Sequence, residues 1–248
     1  MIHGLLLDLD GTLINQDDKI SLSVKNLVKD FAEQIPVSII SGRESREVKK
    51  FANELSLNYI QFSDNGARVI DNKNGDTIIS VSIEEGLVKN IFSKILEKKL
   101  KFLATTNDKT FNSLVNVDSF DISTIVICLE EFEDAKAFSS EYSEELGLRV
   151  NISSDSNRER YYVNINHSHV SKGVAVNHFC RFYSLNKSKV MAIGDSYNDL
   201  EMLKEVGISV AMENAPIEVK DVARYVVKDV NSDGVEEALL KFSHRSFF

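Results

Sequence analysis

The sequence predicts an α/β fold: a parallel sheet with helices on its faces, interrupted midway by an α+β insert. Three observations carry this. Short apolar runs alternate with amphipathic helical segments in the first third of the chain, and the same alternation returns in the last third. Between them the pattern changes to a hairpin signal and strand-like runs around two helical segments. Strands separated by helices imply right-handed βαβ crossovers and therefore parallel neighbours. At 248 residues the chain is long enough to bury a sizeable core.

In chain order, residues 2–9 are an apolar run that reads as a buried strand. Over 21–34, Leu22, Val24, Leu27, Val28 and Phe31 recur at helical spacing behind Ser21, a good N-cap. Residues 36–40 read as a strand, 44–55 as a helix with Val48, Phe51 and Leu55 on one face, and 59–62 as the next strand of the same alternation. Runs 68–70 and 77–81 flank Asn74-Gly75, a hairpin turn signal. An amphipathic helix over 84–98 follows, then strand-like runs at 101–105, 110–115 and 122–129, a helix near 131–145, and strands near 148–152 and 160–165. Helix and strand alternate again over 171–183, 190–193, 200–205, 208–211, 217–222, 225–227 and 235–242. The chain therefore leaves one sheet near residue 82 and rejoins it near 168. It has no internal repeat or low-complexity segment, and its two prolines leave no Pro-rich linker.

A net charge of −9 argues against nonspecific affinity for nucleic acid or an anionic membrane and points to small-molecule partners. Cys128 and Cys180 are isolated in apolar contexts without metal-ligand spacing and read as reduced core thiols. No basic n-region precedes the first strand and no apolar window approaches membrane-spanning length, so the expected location is the cytoplasm. No sequence signal bears on the oligomeric state.

Asp8-Leu9-Asp10-Gly11-Thr12 places two carboxylates one residue apart at the end of the first strand, where open α/β sheets hold ligands. A carboxylate there can attack phosphorus, and a second can carry the leaving-group proton. Gly11 frees the backbone to bend close to a phosphate, and Thr12 offers a hydroxyl. An acidic turn or a calcium loop would share these letters, but a strand before Asp8 contradicts the helix-loop-helix of an EF-hand. Gly194-Asp195-Ser196-Tyr197-Asn198-Asp199 repeats the design of acid after strand. Side by side, the two strand ends would make a Mg²⁺ site of a few hard oxygens. Ser41, before Gly42-Arg43, puts a hydroxyl and backbone amides at a strand end near a helix N-terminus, an anion site or an ordinary cap. Lys172 opens the helix that re-enters the sheet, where the helix dipole disfavours a cation unless an anion offsets it. An exposed lysine and a solvated acidic turn are the plain alternatives for Lys172 and for the Asp195–Asp199 pair.

Together, D-L-D-G-T, S-G-R, S-K-G and G-D-S-Y-N-D in this order resemble the four motifs of the haloacid dehalogenase superfamily. The surrounding sequence, including Asp64-Asn65-Gly66-Ala67 and Val210-Ala211-Met212-Glu213-Asn214-Ala215, is similar to its Cof-type sugar phosphatase branch, subfamily IIB. The resemblance covers roughly residues 1–80 and 168–248. It implies a Rossmann-like core of residues 1–81 and 168–248 with an α+β cap over 82–167. It also implies a Mg²⁺-dependent phosphatase of small phosphorylated metabolites, sugar phosphates first, acting through an aspartyl-phosphate.

By the resemblance Asp8 is the nucleophile and Asp10 the acid/base, while Ser41 and Lys172 hold the phosphate. Asp8, Asp195 and the Asp10 carbonyl bind the metal, with Asp199 supporting it. Thr12, Gly42, Arg43, Asn65 and Asn198 are expected to meet the substrate. A phosphomutase with the same nucleophile and a phospho-sugar sensor without turnover are the competing functions. His167 and His169 stand where relatives often carry proline and glycine, and read as loop residues within reach of the substrate. Arg149, Arg158, Arg160 and Tyr161 are candidates to face the cleft from the cap.

Overall fold

In a computed structural model, residues 2–106, 109–114, 120–154 and 159–242 are described. The first strand, β1 (Gly4–Leu7), is followed by α1 (Leu22–Ala32), β2 (Val37–Ile39) and α2 (Ser45–Glu54). Ser21 caps α1 as expected, its side chain accepting from the Val24 N–H. Next come β3 (Ile60–Ser63), β4 (Arg68–Asp71) and β5 (Thr77–Ser80). The middle of the chain supplies α3 (Glu85–Glu97), β6 (Lys101–Thr105), β7 (Thr110–Phe111), β8 (Thr124–Leu129), α4 (Phe132–Tyr142), β9 (Leu148–Ser154) and β10 (Tyr161–His167). The last third runs α5 (Lys172–Phe182), β11 (Val190–Gly194), α6 (Leu200–Glu205), β12 (Ile208–Met212), α7 (Ile217–Val222), β13 (Tyr225–Val227) and α8 (Gly234–Phe242).

The main sheet is five-stranded and parallel, in the order β13-β12-β11-β1-β2. Its strands read as largely apolar runs, broken by the buried Ser38 and Ser209, because both faces are covered. Leu5 and Leu7 join one buried cluster with Val28 and Phe51, while Leu6 joins another with Phe62 and Phe179. A fully buried side chain of this kind contributes about 1.5–3 kcal/mol relative to an exposed one. The loops that follow β1, β2 and β11 all leave from the carboxyl ends of neighbouring strands, the usual ligand edge of such a sheet.

The strand expected at 59–62 departs from the prediction. β3 pairs antiparallel with β4, and β4 with β5, in a separate three-stranded sheet. Towards β2 it keeps one isolated bridge, Ile40 to Phe62. Side chains fill the seam instead: Ser38 Oγ donates to the Ile60 carbonyl, and the Ile39 N–H donates to Gln61 Oε1 at 2.7 Å. Helical alternation in the sequence cannot reveal that side chains have taken up the ladder's hydrogen bonds.

The second five-stranded sheet is antiparallel, in the order β7-β6-β8-β10-β9. One face carries Phe102, Ala104, Ile125, Ile127, Val163 and Ile165 and packs on α3 and α4. The other face turns towards the ligand edge of the main sheet. Within the expected strand at 110–115, only Thr110 and Phe111 are in β7, and Val115 lies outside the described residues. Cys128 and Cys180 are free thiols, half-buried and buried. Among the described residues, no helix is long and apolar enough to cross a membrane.

Candidate active site

Parallel pairing of β1 with β11 brings the two acidic loops together, and the Asp8 N–H donates to the Ile193 carbonyl at 3.0 Å. Asp8, Asp195 and Asp199 are buried, and one carboxylate oxygen from each lies within 4.8 Å of the other two. Thr12 Oγ1 donates to Asp195 Oδ1 at 3.1 Å, and Asn214 Nδ2 donates to Asp195 Oδ2 at 2.8 Å and to the Gly11 carbonyl at 3.0 Å. Gly11 has φ +77°, and a Cβ there would stand 2.3 Å from Asp195 Oδ2. Only glycine lets the first acidic loop close on the second.

Lys172 is buried with this group. Its Nζ donates to Asp8 Oδ1 at 2.5 Å and to Asp199 Oδ1 at 2.7 Å. Burial opposes the ammonium charge, but Asp199 and Asp8 more than offset it and hold the lysine pKa above its ordinary value. This excludes the exposed-lysine alternative. Asp199 Oδ2 also accepts from the Asp195 and Ser196 N–H groups, so the carboxylate braces both its own turn and Lys172.

Three carboxylates against one ammonium leave an excess of buried negative charge. Burial, then Asp199, pushes the Asp8 carboxyl up to about 7 against the pull of Lys172. Burial, then Asp8 and Asp199, raises Asp195 well above its usual range. A set of hard, buried oxygens short of positive charge fits a divalent cation.

Asp10 stands apart from the three buried acids. Arg43 Nε donates to both of its oxygens at 3.0 Å, and Nη2 donates to Oδ1 at 2.6 Å. The same guanidinium pairs with Asp18 at 2.6 Å and Glu47 at 3.4 Å. Three carboxylates engage Arg43, which orients Asp10 and also lines the cleft above it. Thr12 is buried, and its hydroxyl donates to Asp195. Ser41 is fully buried behind Gly42, with Oγ accepting from the Arg43 N–H at 3.1 Å.

A cleft of about 610 Å³ opens above Asp8 and Asp10, with Gly42, Ser196 and Asn198 on the same wall. The opposite wall is the free face of the antiparallel sheet: Leu103, Thr124, Val126, Ser153, Tyr162 and Asn164. Tyr162 and Asn164 alternate with Val163 and Ile165, which face the apolar side. The expected Tyr161 points the other way, its ring 5.3 Å from Phe132. Arg160 lines the cleft, whereas Arg149 pairs with Glu201 and donates from Nε to the Ser168 carbonyl. Arg158 lies outside the described residues. Neither His167 nor His169 lines the cleft; His167 Nδ1 accepts the His169 N–H, closing the turn after β10.

Asn65 does not line the cleft either. Held at φ +58°, it accepts from Asn198 Nδ2 at 3.0 Å and donates towards Asn164 and Asn166. It ties the G-D-S-Y-N-D loop to β10 across the seam. Tyr197 adds a ring stacked 5.7 Å from Phe132 of α4.

A sequence profile of the haloacid dehalogenase-like hydrolase family matches residues 5–116 and 111–239. The chain belongs to this family. The 5-amino-6-(5-phospho-D-ribitylamino)uracil phosphatase YcsE of Bacillus subtilis (strain 168) is 25% identical to it over 241 residues, 96% of this chain and 94% of the relative. Among solved structures, a haloacid dehalogenase-like hydrolase from B. subtilis superposes with a TM-score of 0.87 at 21% identity, covering 98% of this chain and all of the other. A subclass IIB sugar phosphatase of the superfamily, BT4131, superposes at 0.80 with 18% identity, covering 97% and 98%.

Three positions in this hydrolase escaped the sequence reading. Asn214 clamps Gly11 to Asp195, and its segment is part of the resemblance, but an uncharged amide beside Glu213 does not mark itself as part of a site. Tyr162 reaches the cleft, and only the period-2 register of β10 distinguishes it from Tyr161. Glu201 accepts from Ser171 Oγ at 2.5 Å, from the residue that caps α5 immediately before Lys172.

Proposed function

We propose that the chain is a Mg²⁺-dependent phosphatase of small phosphorylated metabolites, with sugar phosphates as the leading class. The reading rests above all on Lys172, a buried ammonium held between Asp8 and Asp199 at the strand ends. In it, residues 1–81 and 168–248 form the catalytic core, 82–167 form the cap, and the enzyme works in the cytoplasm.

Asp8 attacks the phosphorus in line, and the bond to the leaving oxygen breaks. Asp10 protonates that oxygen, then takes a proton from the water that hydrolyses the aspartyl-phosphate. Lys172 favours the ionised form of Asp8 and, with Ser41, holds the phosphoryl oxygens. Asp8, Asp195 and the Asp10 carbonyl, with Asp199 in support, would hold Mg²⁺, which when bound would supply charge neutralisation at those oxygens. The polar wall of Thr124, Ser153, Tyr162 and Asn164 suits a hydroxylated leaving group. The phosphorylated ribityl substrate in the name of the B. subtilis relative supports the same class.

The test is phosphate release from an aryl phosphate and a panel of sugar phosphates, with Mg²⁺ and with chelator. Multiple turnover that needs the metal and falls by at least about a hundred-fold in Asp8→Asn, roughly 2.7 kcal/mol of barrier, is the expected result. Full activity in chelator, or an active Asp8→Asn variant, overturns the reading. Phosphate returned to the sugar at another position would identify a mutase instead.

A further inference from the structure

Beside the active-site cleft, a second cavity of about 520 Å³ opens between α2 and the β6–β7 hairpin. Among the described residues, its walls carry five basic side chains, Arg46, Lys49, Lys50, Arg68 and Lys109, against one acid, Glu44. In a chain with 38 acidic and 29 basic residues, that local excess runs against the overall charge. Among the described residues, Arg46, Lys49, Lys50 and Lys109 form no ion pair; Lys49 Nζ donates to the Gly75 carbonyl, and Lys50 lies over the Phe51 ring. Glu44 accepts the Thr110 hydroxyl across the seam.

Arg68 supplies an independent observation. It is 2% exposed, and its Nη2 donates to Ser123 Oγ and the Thr106 carbonyl while Nη1 lies 3.6 Å from Asp64. Among the described residues, its Nε–H has no hydrogen-bond partner. A buried guanidinium donor left open costs free energy unless an acceptor reaches it. The cavity wall it shares with four cations is where an anion would come from.

We infer that this seam cavity is a second anion site, one that takes a small molecule bearing two or more phosphoryl groups. One phosphate satisfies two or three cations, and with Arg68 already held by Asp64 the four remaining cations call for more than one. The volume admits a metabolite-sized ligand. Because Arg46 and Lys49 stand on α2 while Lys109 stands beside β7, such a ligand would be gripped from both sides of the seam. The site shares neither Asp8 nor Lys172, so the inference stands apart from the catalytic reading.

The experiment is calorimetric titration of the full chain with methylenediphosphonate, which resists hydrolysis, in chelator and at constant ionic strength. Wild type is compared with the exposed-residue double variant Arg46→Gln/Lys109→Gln. Affinity is expected to fall at least about ten-fold in the variant, while its Mg²⁺-supported turnover of an aryl phosphate matches wild type. Equal affinity in both proteins, or no binding by wild type at millimolar ligand, overturns the site. A variant that loses binding and turnover together also overturns it, because the ligand would then be reporting the catalytic cleft.

Discussion

Lys172 Nζ lies 2.5 Å from Asp8 Oδ1, although 163 residues of chain separate the two, and this contact joins the two ends of the sequence at one buried point. It also makes the lysine structural. Removing one partner of a buried ion pair leaves the other uncompensated, at a cost of about 3–5 kcal/mol. Lys172→Met is therefore expected to lower the urea unfolding free energy by that order in metal-free protein. Turnover should fall at least about a hundred-fold. Near wild-type stability in the variant would show that the pair is not sustained.

Stability should depend on pH with a definite sign. Burial raises the Asp64 carboxyl to about 6 from its ordinary 3.8, against the pull of Arg68 and Ser63, and Asp8 rises further. A carboxyl raised on folding binds protons the unfolded chain has released, so its folded form is most favoured at low pH. That advantage is lost as pH rises through the folded value. Metal-free protein should accordingly have a higher urea midpoint near about pH 5 than near about pH 7.5. Asp64→Asn should flatten the dependence; an unchanged slope would remove Asp64 from its cause.

Glu201 is expected to position Lys172 rather than touch substrate. It accepts from Ser171, the N-cap of α5, and pairs with Arg149 across the seam. Glu201→Gln should lower kcat about ten-fold on an aryl phosphate with KM little changed, a loss near the ~1 kcal/mol of a disturbed cap. A KM effect alone would place Glu201 in binding.

Tyr162 should govern which leaving group is accepted. It faces the cleft from β10, on the antiparallel sheet rather than on the strand-end loops that carry the acids. Tyr162→Ala is expected to lower kcat/KM on the preferred sugar phosphate by about 10–100-fold while a small aryl phosphate loses no more than about three-fold. Equal losses on both substrates would move its role into catalysis.

Most of the fold was legible because its signals are local. Leu5, Leu6 and Leu7 declare a strand buried on both faces, and the spacing of Val24, Leu27, Val28 and Phe31 declares a helix. The same holds for Asp8 and Asp10, and for Asp195 and Asp199, which announce their chemistry by residue type at a strand end. The side of β3 on which a ladder forms was not legible, because Gln61 and Ser38 replace it with side-chain bonds.

By itself the sequence determined the α/β alternation, the interrupted sheet and the order of the four motifs, all of which are properties of neighbours along the chain. Only the tertiary structure decided how the polar groups were shared out. Thr12 pairs with Asp195, Arg43 with Asp10, and Asn65 ties to β10, while Tyr162, Asn214 and Glu201 acquire places around the site. The reason is physical: a buried hydrogen-bonding group must find a partner, and which partner lies within 3 Å depends on segments far apart in sequence.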